Sequence, residues 1–162
     1  MTHSFAPIIN DNSRVLILGS LPGAKSLEMR QYYADPRNQF WYILYATFGF
    51  EAPDADYEKR VAFILSHGLA LWDVIQSAER NGSLDKNIKN VTANDIPGLL
   101  RDYPEIERII CGGRKSAELL QRCYPDIELK TIYVPSTSPI QGRYVKPVEE
   151  KLALWRSAVL GL

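Results

Sequence analysis

The sequence predicts an α/β fold, a three-layer α/β/α sandwich around a central four-stranded parallel sheet. Two observations predict it. Four short apolar runs, residues 14–19, 69–74, 106–111 and 129–134, are rich in Val, Ile and Leu and read as buried strands. Helical patterns lie between and after them, at 39–49, 57–67, 92–101, 114–123 and 147–160. Strands that alternate with helices call for right-handed crossovers, and those leave a parallel sheet covered on both faces.

The element ends carry their own signals. Pro147 suits the first turn of the last helix, with Glu149 and Glu150 close to its positive end. Thr92 with Asp95 approximates a capping box for the 92–101 helix. His67-Gly68 reads as a helix end, because glycine accepts the left-handed backbone found there. The polar stretch 79–90 has weak periodicity and is expected to be a surface excursion. In open parallel sheets, ligands bind beyond the carboxyl ends of the strands. Those ends here are 19–23, Asp73, 111–113 and 135–139.

At 162 residues the chain predicts one domain, 1–162, with a substantial core. It is 46% hydrophobic and 23% charged, which is ordinary for a soluble protein. Nineteen basic and 19 acidic residues cancel, which argues against a non-specific nucleic-acid coat but leaves room for a local basic face. The apolar runs are too short to span a bilayer, so no membrane partner is expected. The opening Met-Thr-His-Ser-Phe has neither the basic nor the apolar region of a secretory leader. Cys111 and Cys123 form no C-x-x-C. These features together predict a reduced, cytoplasmic setting.

Chemistry is concentrated in three peptides. The run Arg14-Val-Leu-Ile-Leu18 feeds the turn Gly19-Ser-Leu-Pro-Gly23, where backbone N–H groups can face an anion or a base edge. This turn is neither a Walker A loop nor a G-x-G-x-x-G fingerprint, so a nucleotide cofactor is disfavoured. Residues Gln31-Tyr-Tyr-Ala-Asp-Pro-Arg-Asn-Gln-Phe-Trp41 follow. Phe40 and Trp41 suit core packing, Asn38 suits a helix cap, and Tyr33 sits in a loop where its ring can stack on a base. Val134-Pro-Ser-Thr-Ser-Pro139 offers three hydroxyls, Ser136, Thr137 and Ser138, between two stiffening prolines. They can donate to phosphate oxygens, with Arg143 and Lys146 beside them. Lys25, Arg37, Arg114 and Lys115 add a basic rim at the strand ends. Asp73 closes its strand, either as a turn residue or as a carboxylate that accepts an N–H from a base. His3 and His67 belong to no motif, so neither a Ser-His-Asp triad nor a histidine metal site has support.

In that order, these peptides resemble the uracil-DNA glycosylase superfamily and, within it, the hypoxanthine-DNA (deoxyinosine) glycosylase class. Gly19–Gly23 matches a first motif of the form Gly-x-x-Pro-Gly. Tyr33–Trp41 matches aromatic-Ala-x-Pro-x-Asn-x-Phe-Trp. Val134–Pro139 resembles the phosphate-pinching loop, and 68–73 the strand that ends in a base-reading residue. Position 21 is Leu where many members carry Asp or Asn, and position 134 is Val where the uracil-specific branch carries His. Both departures resemble the hypoxanthine-acting class, which assigns catalysis to the Asn of the Asn-x-Phe-Trp block, here Asn38. The place of the superfamily's duplex wedge holds Ser138, with Pro139 and Ile140 after it.

The resemblance implies a monofunctional DNA glycosylase, a hydrolase of N-glycosidic bonds in base excision repair. It would act on deaminated bases in DNA, hypoxanthine or uracil, and leave an abasic site. Asn38 would orient water. Tyr33, Asp73 and the backbone at Ser20 and Leu21 would bind the everted base. Ser136, Thr137, Ser138 and Arg143 would hold DNA phosphates. No metal or organic cofactor and no lyase step are expected, and the protein is expected to act as a monomer. The alternative is a non-catalytic nucleic-acid or nucleotide-binding module on the same fold, for which Leu21 speaks. A small-molecule hydrolase would need a nucleophile–base pair that the sequence does not display.

Overall fold

The computed structural model describes residues 1–138 and 146–162. Seven strands and six α-helices follow in the order β1 (Thr2–His3), β2 (Val15–Gly19), α1 (Ala24–Met29), α2 (Phe40–Thr47), α3 (Tyr57–Ser66), β3 (Leu69–Asp73), β4 (Ile75–Arg80), β5 (Ile88–Ala93), α4 (Ile96–Asp102), β6 (Arg108–Gly112), α5 (Arg114–Cys123), β7 (Lys130–Val134) and α6 (Val148–Leu160). A 3-10 turn, Asp85–Asn87, lies between β4 and β5.

The central sheet has the order β3-β2-β6-β7, and all its pairings are parallel. All five residues of β2 are buried, so it reads as an unbroken apolar run with no alternation. Its side chains still divide between two cores. Val15 and Ile17 pack with α2, α3 and α6 through Phe40, Leu44, Ile64 and Trp155. Leu16 and Leu18 pack on the other face with Ile75, Ile96, Leu119 and Leu120. The chain runs from β2 out to β3, then returns past it to β6. The strand order therefore reverses beside β2, which opens a crevice at the carboxyl ends.

All four central strands fall where the apolar runs placed them, with ends displaced by two residues at most. Helix α5 matches its expected bounds. Helices α2, α3 and α6 are shorter than expected by one to three residues, and Pro147 is the N-cap just ahead of α6. His67 caps α3, and Gly68 takes φ +70° as its carbonyl turns to receive the Arg14 N–H (2.7 Å).

The stretch 79–90 lies at the surface as expected, but it is ordered as the ends of two strands and the turn between them. Strands β4 and β5 form an antiparallel hairpin that joins β1 in a second, three-stranded sheet. Two register irregularities interrupt its pairing, and the buried positions of β4 include the small residues Ser77 and Ala78. Both features erase the period-two signal a strand normally shows. Thr92 consequently lies in β5, not in a capping box. Helix α4 starts later than expected, with the Asp95 carboxylate accepting from the Gly98 N–H (3.0 Å).

Buried Asn94 holds the hairpin to the exit of β3. Its Nδ2 donates to the carbonyls of Asp73 (2.8 Å) and Ile75 (3.2 Å), and its own N–H donates to the Val74 carbonyl (2.8 Å). Replacing Asn94 by Ala leaves the Asp73 and Ile75 carbonyls without their side-chain donor. The expected loss is about 1–3 kcal/mol, read as a lower urea midpoint with unchanged m-value.

Candidate active site

A cavity of about 520 Å³ occupies the crevice at the carboxyl ends of β2, β3, β6 and β7. Its size falls in the range of roughly 300–1,000 Å³ usual for small-molecule sites. Its walls include Ser20, Leu21, Tyr33, Asn38, Asp73, Ser136, Thr137 and Ser138, so the structure gathers the described residues expected to place water, bind the base and hold phosphate. Arg143, Pro139 and Ile140 lie outside the described residues.

Gly19 is the pivot. A β-carbon there would stand 2.6 Å from Asp73 Oδ1 and 3.1 Å from the Tyr33 hydroxyl oxygen. Only glycine admits both groups against the end of β2. Tyr33 has φ +53°, a left-handed conformation rare for a side chain of its size. One face of its ring stacks on Phe40, with centroids 3.7 Å apart and planes 15° from parallel. The neighbouring Tyr32 fixes this turn. Its hydroxyl donates to the Ala6 carbonyl (2.8 Å), its N–H to the Tyr57 hydroxyl (3.0 Å), and its carbonyl accepts from Trp41 Nε1 (3.2 Å).

Asn38 ends a tight turn in which its N–H donates to the Asp35 carbonyl (2.9 Å). It does not cap α2 in the ordinary sense, since Gln39 is the N-cap. Its Oδ1 nevertheless accepts from the Phe40 N–H (2.9 Å). That bond decides which way the carboxamide faces, because only oxygen accepts from an N–H. A carbonyl oxygen has two lone pairs, so the second remains able to receive a water O–H. The residue is half-buried on the cavity wall, neither sealed in the core nor turned fully to solvent.

The 135–138 loop is tied to the same turn. The Gln39 N–H donates to the Thr137 carbonyl (3.0 Å), and Trp155 Nε1 donates to the Pro135 carbonyl (2.8 Å). Lys151 is only 2% exposed, and its Nζ donates to Gln39 Oε1 (3.0 Å) and to the Ser138 carbonyl (3.5 Å). Burial pulls its ammonium below the usual lysine range. This lysine carried no sequence signal, since it lies within the amphipathic pattern of α6. Ser136 is exposed, with its hydroxyl accepting from the Ser138 N–H (3.1 Å). Thr137 is buried, so Ser136 is the hydroxyl of this loop most open to a phosphate.

Of the basic residues expected at the rim, Lys25 and Arg37 line the cavity, and both, like Lys146, are paired with carboxylates. Lys25 stands 3.7 Å from Glu28, Arg37 2.9 Å from Asp35, and Lys146 3.2 Å from Glu150. The Arg37 guanidinium holds the Asp35 carboxyl down at about 2. Exposed pairs of this kind are worth only about 0–1 kcal/mol, so a DNA phosphate can take over the cation at little cost.

The β4–β5 hairpin supplies groups that the sequence reading left out. Ser83, Leu84 and Asp85 line the cavity, and Ser20 Oγ donates to Asp85 Oδ1 (2.9 Å). Asp73, 5% exposed, is pushed up to about 7, first by burial and then by the charge of Asp85, with Arg80 opposing. Among the described residues, no group of three or more His, Cys, Asp or Glu side chains is arranged to hold a metal ion.

Comparison with known proteins identifies the family. The family model of the uracil DNA glycosylase superfamily matches residues 6–158. The chain belongs to that superfamily. It is 33% identical, over 91% of its length and 92% of the relative's, to a hypoxanthine DNA glycosylase of Methanosarcina acetivorans. A hypoxanthine DNA glycosylase of Methanosarcina barkeri is 35% identical over 70% of this chain and 72% of its own. A solution NMR structure of a Methanosarcina acetivorans protein, described as a candidate uracil DNA glycosylase, superposes with a TM-score of 0.84 at 30% identity. It covers 98% of this chain and 96% of the other.

The position of Asp73 has a measurable cost. A carboxyl raised from 3.8 to about 7 in the folded chain binds its proton more tightly there than when unfolded. Stability is therefore highest below pH 4 as far as this group is concerned, and declines as pH rises towards 7. Asp73→Asn removes that dependence. At pH 8 the variant is expected to gain up to a few kcal/mol over wild type, at about 1.4 kcal/mol per pK unit, and to lose the advantage near pH 4. Urea denaturation across that range reads the difference.

Proposed function

We propose that this chain, a DNA glycosylase by family, releases hypoxanthine from deoxyinosine in DNA and leaves an abasic site. The observation that carries the reading is Asn38, held in one orientation by the Phe40 N–H on the wall of a cavity that also presents Tyr33, Asp73 and the 136–138 loop. The names borne by its relatives point to the same base.

Chemistry on a base requires extruding it from the stack, and a mispaired base costs least to extrude. Ser136, on the exposed crest of its loop, holds a phosphate beside the lesion. The basic rim supplies the rest of the backbone affinity. Inside the cavity the base lies against Tyr33, whose far face is already braced by Phe40. Hypoxanthine presents a ring N–H beside a carbonyl, and Asp73 faces that edge. As the C1′–N9 bond lengthens, positive charge grows on the sugar and water attacks late. A neutral amide is then sufficient to place the water. Asn38 Oδ1 accepts one water proton through its second lone pair, which leaves the oxygen lone pair directed at C1′. Lys25 stands exposed on the rim beside Glu28, and Lys151 Nζ is engaged with Gln39 and Ser138. Neither is set as an amine nucleophile on the sugar, so hydrolysis ends the reaction without strand cutting.

The test is alkaline cleavage of labelled oligonucleotides carrying deoxyinosine, deoxyuridine or deoxyxanthosine, with an undamaged control. Cleavage greatest at deoxyinosine is expected. Binding without cleavage at any lesion would favour the non-catalytic module instead. Asn38→Ala is expected to lose about 10²-fold or more in single-turnover base release while its DNA affinity is retained. Ser136→Ala should weaken DNA binding by about tenfold, the loss of one hydrogen bond to a charged group, and leave the order of base preference unchanged.

A further inference from the structure

The groups just assigned leave the departing base without a proton donor. Hypoxanthine is a poor leaving group as an anion, and it leaves far more readily when its imidazole nitrogen N7 is protonated. Position 134, beside the phosphate loop, is Val and has no polar atom to offer. The cavity does contain a group that the mechanism above does not use, and it comes from the β4–β5 hairpin.

Asp85 reaches the cavity because the hairpin is fastened to the turn after β2. Arg80 donates through Nη2 to the Pro22 carbonyl and through Nε to the Gly82 carbonyl (2.9 Å). The Ala24 N–H donates to the Ser83 hydroxyl (2.9 Å). Ser20 Oγ then donates to Asp85 Oδ1 (2.9 Å). Three contacts therefore pin the 80–85 segment across 19–24, and the Asp85 carboxylate ends on the same cavity as Asp73.

We propose that Asp85 is a catalytic residue of this enzyme, which with Asp73 forms a carboxyl pair that passes one proton to the departing purine. The proposal rests on the reading of hypoxanthine as the substrate.

Asp73 is buried and Asp85 is exposed at the mouth of the same cavity, and where two such carboxyls interact the proton they retain belongs to the pair. Both members of this pair are raised. Burial leads for Asp73, with the charge of Asp85 adding to it, and partial loss of hydration at the cavity mouth leads for Asp85. On Asp85 the Ser20 hydrogen bond, Arg80 and Lys115 work in the opposite direction. The Tyr33 phenol, which also faces both carboxyls, is raised by burial and by their charges and stays neutral. The proposed step has the pair enter the reaction with one proton and one negative charge. The charged oxygen accepts the ring N–H of hypoxanthine. The protonated oxygen donates towards the O6–N7 side of the ring.

The step balances without any added reagent. The C1′–N9 bond breaks, and its electron pair passes into the purine. N7 takes the proton from the pair, so hypoxanthine leaves neutral and both carboxyls are left ionised. The water held by Asn38 bonds through oxygen to C1′, and the proton it sheds returns to the pair. Two carboxylates that line one cavity favour that return.

The experiment uses the full chain and a deoxyinosine duplex under single-turnover conditions from pH 5 to 9. A duplex carrying 2′-fluoro-deoxyinosine, which resists cleavage, reports binding. Wild type is expected to slow as pH rises through about 7, where the Asp73 carboxyl titrates. Asp85→Asn is expected to lose about 10²-fold or more in rate at pH 8 with affinity for the fluorinated duplex unchanged. Its alkaline decline should move to lower pH, because Asp73 no longer feels the Asp85 charge. Ser20→Ala should move the decline to higher pH, since a bond that favours the ionised Asp85 has gone. Opposite shifts in the two variants are not produced by a merely structural role. A wild-type rate and profile in Asp85→Asn, or a slower rate with an unmoved profile in both variants, would overturn the proposal. Should Asp85→Asn not fold, the direction of the Ser20→Ala shift decides alone. Wild type that leaves deoxyinosine intact would sink the substrate reading itself, a separate result.

Discussion

Gly19 has no side chain, and the Asp73 carboxyl and the Tyr33 hydroxyl stand where one would be. This close approach is possible because β2 and β3 run parallel in register, with Gly19 opposite Asp73 at the last pair. Carboxyl, phenol ring and turn backbone therefore meet at one point on the sheet rim. The other features of the site are arranged around it. Tyr33 needs a left-handed backbone to reach the rim, and it is kept there by Phe40 behind it and by the three hydrogen bonds of Tyr32. A larger residue at position 19 would displace the carboxyl and the ring together.

The rest of the cavity is held by bonds between segments distant in sequence. Gln39 links the Asn38 turn to the 136–138 loop through its backbone, and Lys151 links both to α6 through its side chain. Buried cations are costly unless well accommodated. Here Lys151 donates to two neutral oxygens, Gln39 Oε1 and the Ser138 carbonyl, which holds its ammonium against a loop read as a phosphate holder. On the opposite wall, Arg80, Ser83 and Ser20 fasten the hairpin to the 19–24 turn. The group proposed to place water and the group proposed to move a proton thus stand on separately braced walls. Such bracing keeps catalytic geometry fixed without adding contacts to substrate.

The site is bought with stability. Asp73 is raised to about 7 by a burial that disfavours its charge, and one guanidinium nitrogen of Arg80 is buried with no hydrogen-bond partner among the described residues. Neither arrangement helps the chain fold. Both bring charge into a low-dielectric cleft, where a fixed proton or ion acts more strongly on a reacting bond than it does in water. The apolar packing of the central sheet on both faces supplies the compensation, and the fold tolerates strain at its rim for that reason.

Local pattern was enough for the sheet and most of its helices, because a strand buried on both faces must be continuously apolar and a helix must carry a periodic face. Strands β2, β3, β6 and β7 could be read directly on that basis. The residues Asn38, Tyr33, Asp73 and 136–138 were also legible, since the rule that ligands sit at carboxyl strand ends needs only strand positions and the motifs next to them. The β4–β5 hairpin was not legible. Its buried positions include Ser77 and Ala78, its register slips twice, and its hold on the first turn runs through Arg80 and Ser83, whose partners lie 58 and 59 residues away. Lys151 was missed for a similar reason, because on a helix it reads as a solvated charge. Which polar residues turn inward is set by what packs over them. Sequence spacing carries no record of that, and only the folded chain decides it.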